Sequence, residues 1–217
     1  MAGSGPSLYV LAGTNGAGKS SIAGAMMRRS GADYFNPDEA ARRIRSANPY
    51  LTQEDANSAA WLEGTRLLRR AIAERLDFAF ETTLGGRTIT ALLEEAASSG
   101  AHVYVWYVGL SGPELHVARV RERVERGGHA IPEEAIRSRY DSSRLNLIRL
   151  LPRLAGLRLY DNSREANPQK SVAPEPVLLL HWSHGAVVQR LELTRIPMWA
   201  KPIVAAALLT PPSSSRP

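Results

Sequence analysis

The sequence contains no cysteine and no long apolar run, and both absences limit what the protein can be. Without cysteine it forms no disulfide, performs no thiolate catalysis and holds no zinc–thiolate site. No apolar run approaches the roughly 20 residues that cross a bilayer, so we expect no membrane span. The first seven residues lack a basic segment followed by an apolar one, so we expect no signal peptide. These absences together predict a cytoplasmic protein.

What the chain does contain is typical of a globular α/β protein. Of its 217 residues, 44% are hydrophobic and 22% are charged, which suits one full core and excludes wholesale disorder. The net charge is +6, and arginines concentrate at 119–153. Such charge occurs in nucleic-acid binders and in kinases whose lid handles polyphosphates. We interpret the arginines first as a phosphate-handling surface and do not expect a nucleic-acid partner.

The strongest motif is GTNGAGKS at residues 13–20, which matches the phosphate-binding P-loop pattern G-x-x-x-x-G-K-[ST]. An apolar run at 8–12 precedes it and a helical stretch at 19–29 follows, so the pattern predicts strand, turn and helix. Backbone N–H groups and the helix dipole would hold phosphates, Lys19 would reach the β- and γ-phosphates, and Ser20 would bind Mg²⁺. The alternative is a strand-to-helix turn without a ligand. The predicted nucleotide-binding residues are Gly13, Thr14, Asn15, Gly16, Ala17, Gly18, Lys19, Ser20 and Ser21.

Strands and helices alternate along the chain, which predicts a three-layer α/β/α fold with a mainly parallel sheet. Further strands are expected at 32–35, 78–84, 102–110 and 157–163. Helices are expected at 37–45, 53–75, 88–98 and 113–126, with another from 132 to 139 or on to 150. Two runs at 177–182 and 187–193 predict a C-terminal β-hairpin, followed by a helix at 197–209.

Residues 36–39 combine a helix start with a candidate catalytic group. Asn36 suits the N-cap, Pro37 the first helical position, and Glu39 the third position of a capping box. Asp38 would then lie near the P-loop at the carboxyl end of a strand, the edge where open α/β sheets bind ligands. From the spacing alone, Asp38 is equally well a carboxylate that stabilises the helix dipole.

Taken together, these landmarks resemble the zeta-toxin family of P-loop kinases, and more closely its stand-alone branch of predicted ATPases. Besides the P-loop, the resemblance rests on FNPDE at 35–39, FAFETTL at 78–84, RV at 119 and 123, RGGH at 126–129, RY at 139 and YDNS at 160–163. It covers residues 8–163. Proteins of this family transfer the γ-phosphoryl of ATP to a hydroxyl of a sugar nucleotide, with UDP-N-acetylglucosamine as the reference substrate. Some are toxins held by a partner antitoxin.

The resemblance implies a role for the polar residues beside the predicted strands. Asp38 becomes the base that accepts the proton of the acceptor hydroxyl. Glu81, Thr82 and Thr83 become acceptor-binding residues together with Asn36, although the three could also be a polar strand end without a ligand. Glu81 is also a candidate for the Mg²⁺ shell.

Two arginines are implied as the charge-neutralising groups of a mobile lid. Arg126 and Arg139 lie 13 positions apart (139 − 126 = 13), the spacing of the arginine pair in zeta-like kinases, and Gly127-Gly128 would let the lid bend. If one of these two arginines is not part of the lid, Arg123 is the next candidate. The alternative interpretation of each arginine is that it lies on a solvated helix face without a catalytic role. We interpret His129 as structural.

The resemblance also sets the expected organisation and function. We expect a flexible leader at 1–7, a P-loop kinase domain at 8–163 with its lid near 119–140, the hairpin and helix at 164–210 on the same domain, and a disordered tail at 211–217. Residues 161–163 are expected to turn the chain rather than line the nucleotide site. The expected activity is an ATP- and Mg²⁺-dependent small-molecule kinase acting on a sugar nucleotide, with an antitoxin as a candidate partner. The alternatives are a nucleoside, dinucleotide or polynucleotide kinase, and a non-catalytic ATP-binding switch.

Overall fold

A computed structural model describes residues 5–19, 34–164 and 175–211. The strands in these ranges are β1 (Ser7–Ala12), β2 (Tyr34–Phe35), β3 (Phe78–Thr82), β4 (His102–Gly109), β5 (Gly156–Asp161), β6 (Val177–Ser183) and β7 (Ala186–Arg190). The α-helices are α1 (Pro37–Ala47), α2 (Gln53–Ala73), α3 (Arg87–Ser98), α4 (Pro113–Glu125), α5 (Glu133–Leu150) and α6 (Lys201–Leu209). Two short 3₁₀ helices span Leu151–Arg153 and Leu193–Arg195.

The seven strands form one sheet in the order β2-β3-β1-β4-β5-β6-β7. The first five pair in parallel, whereas β6 and β7 run antiparallel to their neighbours. The predicted α/β fold with a mainly parallel sheet and a C-terminal hairpin is confirmed. Because β1 to β5 are parallel, their carboxyl ends meet at one edge of the sheet, where such folds bind ligands.

The main hydrophobic core lies on one face of this sheet. The central strand β4 is almost continuously apolar, and its inward side chains such as Val105 are buried, as is typical of a parallel sheet. Four helices pack against this face, α2 through Leu68, α3 through Leu93, α5 through Leu147 and α6 through Ile203. This packed layer gives a fixed base to the loops that follow the strands.

Some boundaries differ from the sequence prediction for identifiable reasons. Strand β3 ends at Thr82 rather than 84, because the hydroxyls of Thr82 and Thr83 accept the backbone N–H groups of Leu84 and Gly85 and turn the chain. Helix α5 runs without a break to Leu150, the longer of the two expected lengths. Helix α6 begins at Lys201 rather than 197.

Several predictions fall on residues outside the described ranges. They are the helix at 19–29 beyond Lys19, the Mg²⁺ ligand Ser20 with its neighbour Ser21, and most of the predicted leader and tail. Among the helices that the structure does describe, none combines the length and the apolar content needed to traverse a bilayer.

Candidate active site

The P-loop leaves β1 at the carboxyl edge of the sheet and folds tightly against β4. Gly13 has a φ of 139°, and a Cβ at this position would lie 2.1 Å from the carbonyl oxygen of Val108, so this turn requires glycine. The N–H of Ala17 donates to the Thr14 carbonyl at 3.1 Å and closes the loop. Asn162, which we predicted to be part of a simple turn, donates its side-chain N–H to the Ala17 carbonyl at 2.9 Å. The segment after β5 therefore supports the P-loop.

Lys19 and Glu81 meet at the mouth of this loop. Lys19 is 7% exposed, and its Nζ donates to the Gly13 carbonyl at 2.7 Å and lies 3.4 Å from Oε1 of Glu81. The other carboxylate oxygen of Glu81 accepts hydrogen bonds from the Tyr34 hydroxyl at 3.0 Å and from Nδ2 of Asn36 at 3.1 Å. One buried polar cluster therefore joins Lys19, Asn36 and Glu81. The sequence predicts all three as site residues, although they come from distant parts of the chain.

Asp38 lies at the first turn of α1, as the sequence predicts. The side chain of Asn36 accepts the backbone N–H groups of Asp38 at 2.9 Å and Glu39 at 3.2 Å, which identifies Asn36 as the N-cap. Asp38 is 43% exposed, and its Oδ2 lies 3.4 Å from Nη1 of Arg123 while its Oδ1 lies 3.9 Å from Nε2 of His129. A half-exposed carboxylate held at the sheet edge is suited to accept a proton from a substrate hydroxyl.

The two predicted lid arginines occupy different places. Arg139 of α5 donates from Nη1 to the Oδ1 of Asn15 at 2.9 Å, so it contacts the P-loop directly. Arg126 follows α4 at the rim of the cleft and is 81% exposed, with Glu122 at 3.8 Å. Arg123, the predicted substitute, is the arginine that reaches Asp38.

Helix α5 connects the P-loop to the segment that follows β3. Ser143 Oγ donates to the Thr83 carbonyl at 2.6 Å, and Asn146 Nδ2 donates to the Leu84 carbonyl at 2.8 Å. The Tyr107 hydroxyl lies 3.0 Å from Ser143 Oγ, and burial raises the pKa of Tyr107 to about 12, so the phenol stays neutral. Arg139, Ser143 and Asn146 share one helical face, because they lie four and three positions apart. This face therefore fixes the predicted acceptor loop relative to the P-loop.

His116 is a P-loop contact that the sequence reasoning missed. It is 1% exposed on α4, and its Nδ1 lies 2.8 Å from the Asn15 carbonyl, so Nδ1 must carry the hydrogen and donate it. Burial lowers the pKa of His116 to about 4, despite the Asn15 contact, and the charge of Lys19 acts in the same direction. The available signal was weak, namely a histidine four positions before the apolar Val120 on one helix face.

This histidine predicts a loss of stability in acid. The unfolded chain binds a proton at His116 as the pH falls below about 6.5, whereas the folded chain binds it only near pH 4. Stability should therefore fall between those values, by about 3 kcal/mol in total, and change no further below pH 4 through this group. Urea unfolding at pH 7.5 and 4.5 measures the difference. His116→Asn should reduce it; an equal pH dependence in the parent protein and in this variant would contradict the assignment.

The P-loop and Asp38 open into the same cleft, whose volume is about 1920 Å³. Pockets that bind a single small molecule usually have volumes of about 300–1,000 Å³, so this larger cleft has room for a nucleoside triphosphate and a second substrate. Its walls include Asn15, Gly16, Gly18, Lys19, Asn36, Asp38, Glu81, Thr82, Thr83, Arg123, Arg126 and Asn162.

The described residues contain no group of three or more His, Asp or Glu side chains that could hold a metal ion by themselves. In phosphoryl-transfer sites Mg²⁺ usually binds through one or two carboxylates together with substrate phosphates and water. Glu81, whose Oε1 lies 3.4 Å from Nζ of the P-loop lysine, is a carboxylate of this type beside the P-loop.

A family model for the Zeta toxin family matches residues 2–166, which is most of the chain. The chain belongs to the zeta-toxin family. The resemblance read from the sequence is thereby confirmed. Among curated proteins, this zeta-toxin-family chain is similar to one from Haemophilus influenzae described as an uncharacterized protein, with 33% identity over 128 residues, 59% of this chain and 88% of the other.

Solved structures support the fold of this family member. A crystal structure of AvrRxo1-ORF1:-ORF2 with ATP superposes with a TM-score of 0.65 at 17% identity, covering 99% of this chain and 66% of that chain. A structure of the PezAT toxin–antitoxin system of Streptococcus pneumoniae superposes with a TM-score of 0.56 at 14% identity, covering 80% and 75%. The chain therefore spans just under two thirds of the AvrRxo1 chain. Family and fold together support a P-loop phosphotransferase.

Proposed function

We propose that this protein is an ATP- and Mg²⁺-dependent kinase that transfers the γ-phosphoryl group to a hydroxyl of a small molecule, with a sugar nucleotide as the leading acceptor class. One observation carries the proposal: the P-loop lysine and Asp38 line a single cleft that is large enough for two substrates. The AvrRxo1 structure, which contains ATP, supports the choice of nucleotide. The PezAT relative is part of a toxin–antitoxin system, so an antitoxin is the candidate protein partner.

The residues of the cleft can be assigned to the steps of such a transfer. Asp38 takes the proton of the acceptor hydroxyl while the oxygen of that hydroxyl bonds to the γ-phosphorus. The bond between this phosphorus and the β–γ bridging oxygen breaks, which releases ADP. Lys19 and the backbone N–H groups of the P-loop neutralise charge on the phosphates. Ser20 and Glu81 would hold Mg²⁺, which adds further charge neutralisation when bound.

The acceptor would lie between β3 and α1. Thr82 and Thr83 line the cleft there with hydroxyl groups, and Glu81 is held in place by the hydrogen bonds that it accepts from Tyr34 and Asn36. Oriented donors and acceptors of this kind suit a polyol such as a sugar.

A transfer assay with γ-labelled ATP and Mg²⁺ tests the proposal. We expect acceptor-dependent labelling of at least one compound in a panel of UDP-N-acetylglucosamine, other UDP-sugars, nucleosides and dinucleotides. Mass spectrometry of the product should show the addition of one phosphoryl group. ATP binding without transfer to any member of the panel, or to compounds in a metabolite extract, would argue instead for a non-catalytic switch.

The predicted arginine pair gives a separate test. Because both side chains would neutralise charge on the transferred group, Arg139→Gln and Arg126→Gln should each lower kcat by about 10²-fold. Arg121→Gln is the matched control, since Arg121 is exposed on α4 and pairs with Glu133, whereas Arg139 contacts the P-loop and Arg126 lines the cleft. Steady-state kinetics with the labelled acceptor measures the three variants. Full activity of Arg126→Gln would contradict the pair and leave Arg139 as the phosphate-binding arginine.

A further inference from the structure

Arg123 pairs with the candidate base Asp38, and both residues line the cleft. Nη1 lies 3.4 Å from Oδ2 of Asp38, and Nη2 donates to the backbone carbonyl of His129 at 3.3 Å. The third nitrogen, Nε, is buried without a hydrogen-bond partner in the described part of the chain. Both terminal nitrogens of Arg123 are therefore committed, one to the base and the other to the turn that follows α4.

That turn is the Gly127-Gly128-His129 segment, which the sequence suggests as a lid hinge. In the structure it folds back onto Arg123: the N–H of Gly128 donates to the Arg123 carbonyl at 2.9 Å. A Cβ at Gly128 would lie 2.8 Å from that carbonyl oxygen and 2.8 Å from Cγ of Arg123, so only glycine allows this close approach. The motif therefore restricts where the arginine side chain can go.

We propose that Arg123 is a positioning residue for the base, held by the Gly127-Gly128-His129 turn so that it occupies Oδ2 of Asp38 and leaves Oδ1 to receive the acceptor proton. This inference rests on the proposed function, because it requires Asp38 to be the base. It assigns the GGH motif to the acceptor side of the reaction, rather than to the bending of a lid over the nucleotide.

The surrounding charges are consistent with this role. His129, whose Nε2 is 3.9 Å from Oδ1, has its pKa lowered by burial, with Arg123 and Arg42 acting in the same direction against Asp38. A neutral imidazole beside Oδ1 does not compete as a second cation for that oxygen. Oδ2 of Asp38 is thus paired with a cation, while Oδ1 lies 3.9 Å from an uncharged ring.

The experiment follows phosphate release and transfer from γ-labelled ATP, with and without UDP-N-acetylglucosamine. Arg123→Ala should lower kcat by about 10²-fold, the cost of a misplaced catalytic group, with the KM for ATP changed less than about twofold. Added guanidinium chloride should restore a large part of the activity of Arg123→Ala. The kcat of Arg123→Lys should lie between the values for the parent protein and for Arg123→Ala. A tenfold rise in the KM for ATP would overturn the proposal, because it would place Arg123 on the nucleotide phosphates.

A double variant shows whether Arg123 acts through Asp38. If it does, Arg123→Ala should cause no further loss in an Asp38→Asn background, because the two changes remove one function. Losses that multiply would overturn the inference. If Asp38→Asn itself keeps full activity, the proposed base is wrong; if it is inactive while Arg123→Ala is fully active, only the positioning role is wrong.

The turn can be tested without touching either charge. Gly128→Ala should lower kcat in the same way as Arg123→Ala, because its methyl group would displace the Arg123 side chain. Gly86→Ala is the matched control, since a Cβ there meets nothing within 4 Å, and it should leave kcat unchanged. Circular dichroism and thermal unfolding confirm that both variants are folded. Equal activity of the two variants would contradict the role of the turn.

Discussion

Replacing Asp38 with asparagine is expected to lower phosphoryl transfer by about 10³-fold, within the usual range for removing a general base. The amide keeps the size of the side chain and can still accept a hydrogen bond, but it cannot take the proton of the acceptor hydroxyl. ATP binding should persist, because the P-loop and Lys19 are untouched. Single-turnover transfer measures the loss, and equilibrium binding of a non-hydrolysable ATP analogue measures what remains.

The neighbouring carboxylate provides the control for this prediction. Like Asp38→Asn, Glu39→Gln removes one negative charge, one position further along α1. The backbone N–H groups of Asp38 and Glu39 are both capped by Asn36. Its transfer rate should stay within about threefold of the parent, because the first-turn charge contributes only about 0.3–1 kcal/mol through the helix dipole. If the Glu39 variant were the inactive one, the assignment of the base would have to move to that residue.

Replacing Lys19 with methionine is expected to lower kcat by about 10³-fold, because the cation nearest the phosphate-binding loop is lost. A second effect should appear in stability. Lys19 and Glu81 are 7% and 9% exposed and 3.4 Å apart, so removing the lysine leaves a buried carboxylate without its cation. That should destabilise the fold by about 3 kcal/mol, measured as the free energy of unfolding in urea.

A second substitution separates these two effects. In Lys19→Met/Glu81→Gln the neutral amide needs no cation, so most of the lost stability should return while kcat stays as low as in Lys19→Met. In the single variant Glu81→Gln, Lys19 keeps its hydrogen bond to the Gly13 carbonyl. Recovery of transfer in the double variant would show that Lys19 is needed only to neutralise Glu81, and the proposed role of the P-loop lysine would then be wrong.

The elements that the sequence predicted well are those set by local pattern. The apolar runs of β1 and β4, the caps of α1 and the glycine spacing of the P-loop each depend on residues close together in the chain. Their ends were less certain: β3 stops early because two threonine hydroxyls bond to the backbone that follows them. Such side-chain to backbone contacts compete with a strand but leave little trace in hydrophobic periodicity.

The contacts between distant segments were harder to predict from the sequence. Asn162 supports the P-loop across 145 positions and His116 across 101, and neither follows from periodicity or from a local motif. The interpretation of residues 161–163 as a simple turn missed that Asp161 still belongs to β5 and that the Asn162 side chain lines the cleft and reaches Ala17. The arginine spacing likewise indicated which arginines are candidates for the site, but it did not indicate which of them contacts Asp38.

Residue types and short spacings establish which chemical groups are available: a phosphate-binding loop with its lysine, a carboxylate at a helix start, and arginines on the helices that follow. These depend on residue type and short spacing, which the chain states directly. The folded chain is needed to see that Lys19 pairs with Glu81, that Arg139 contacts Asn15, and that Arg123 reaches the base. The physical reason is that strand order and helix packing bring these groups together, and both depend on the whole core rather than on any one segment.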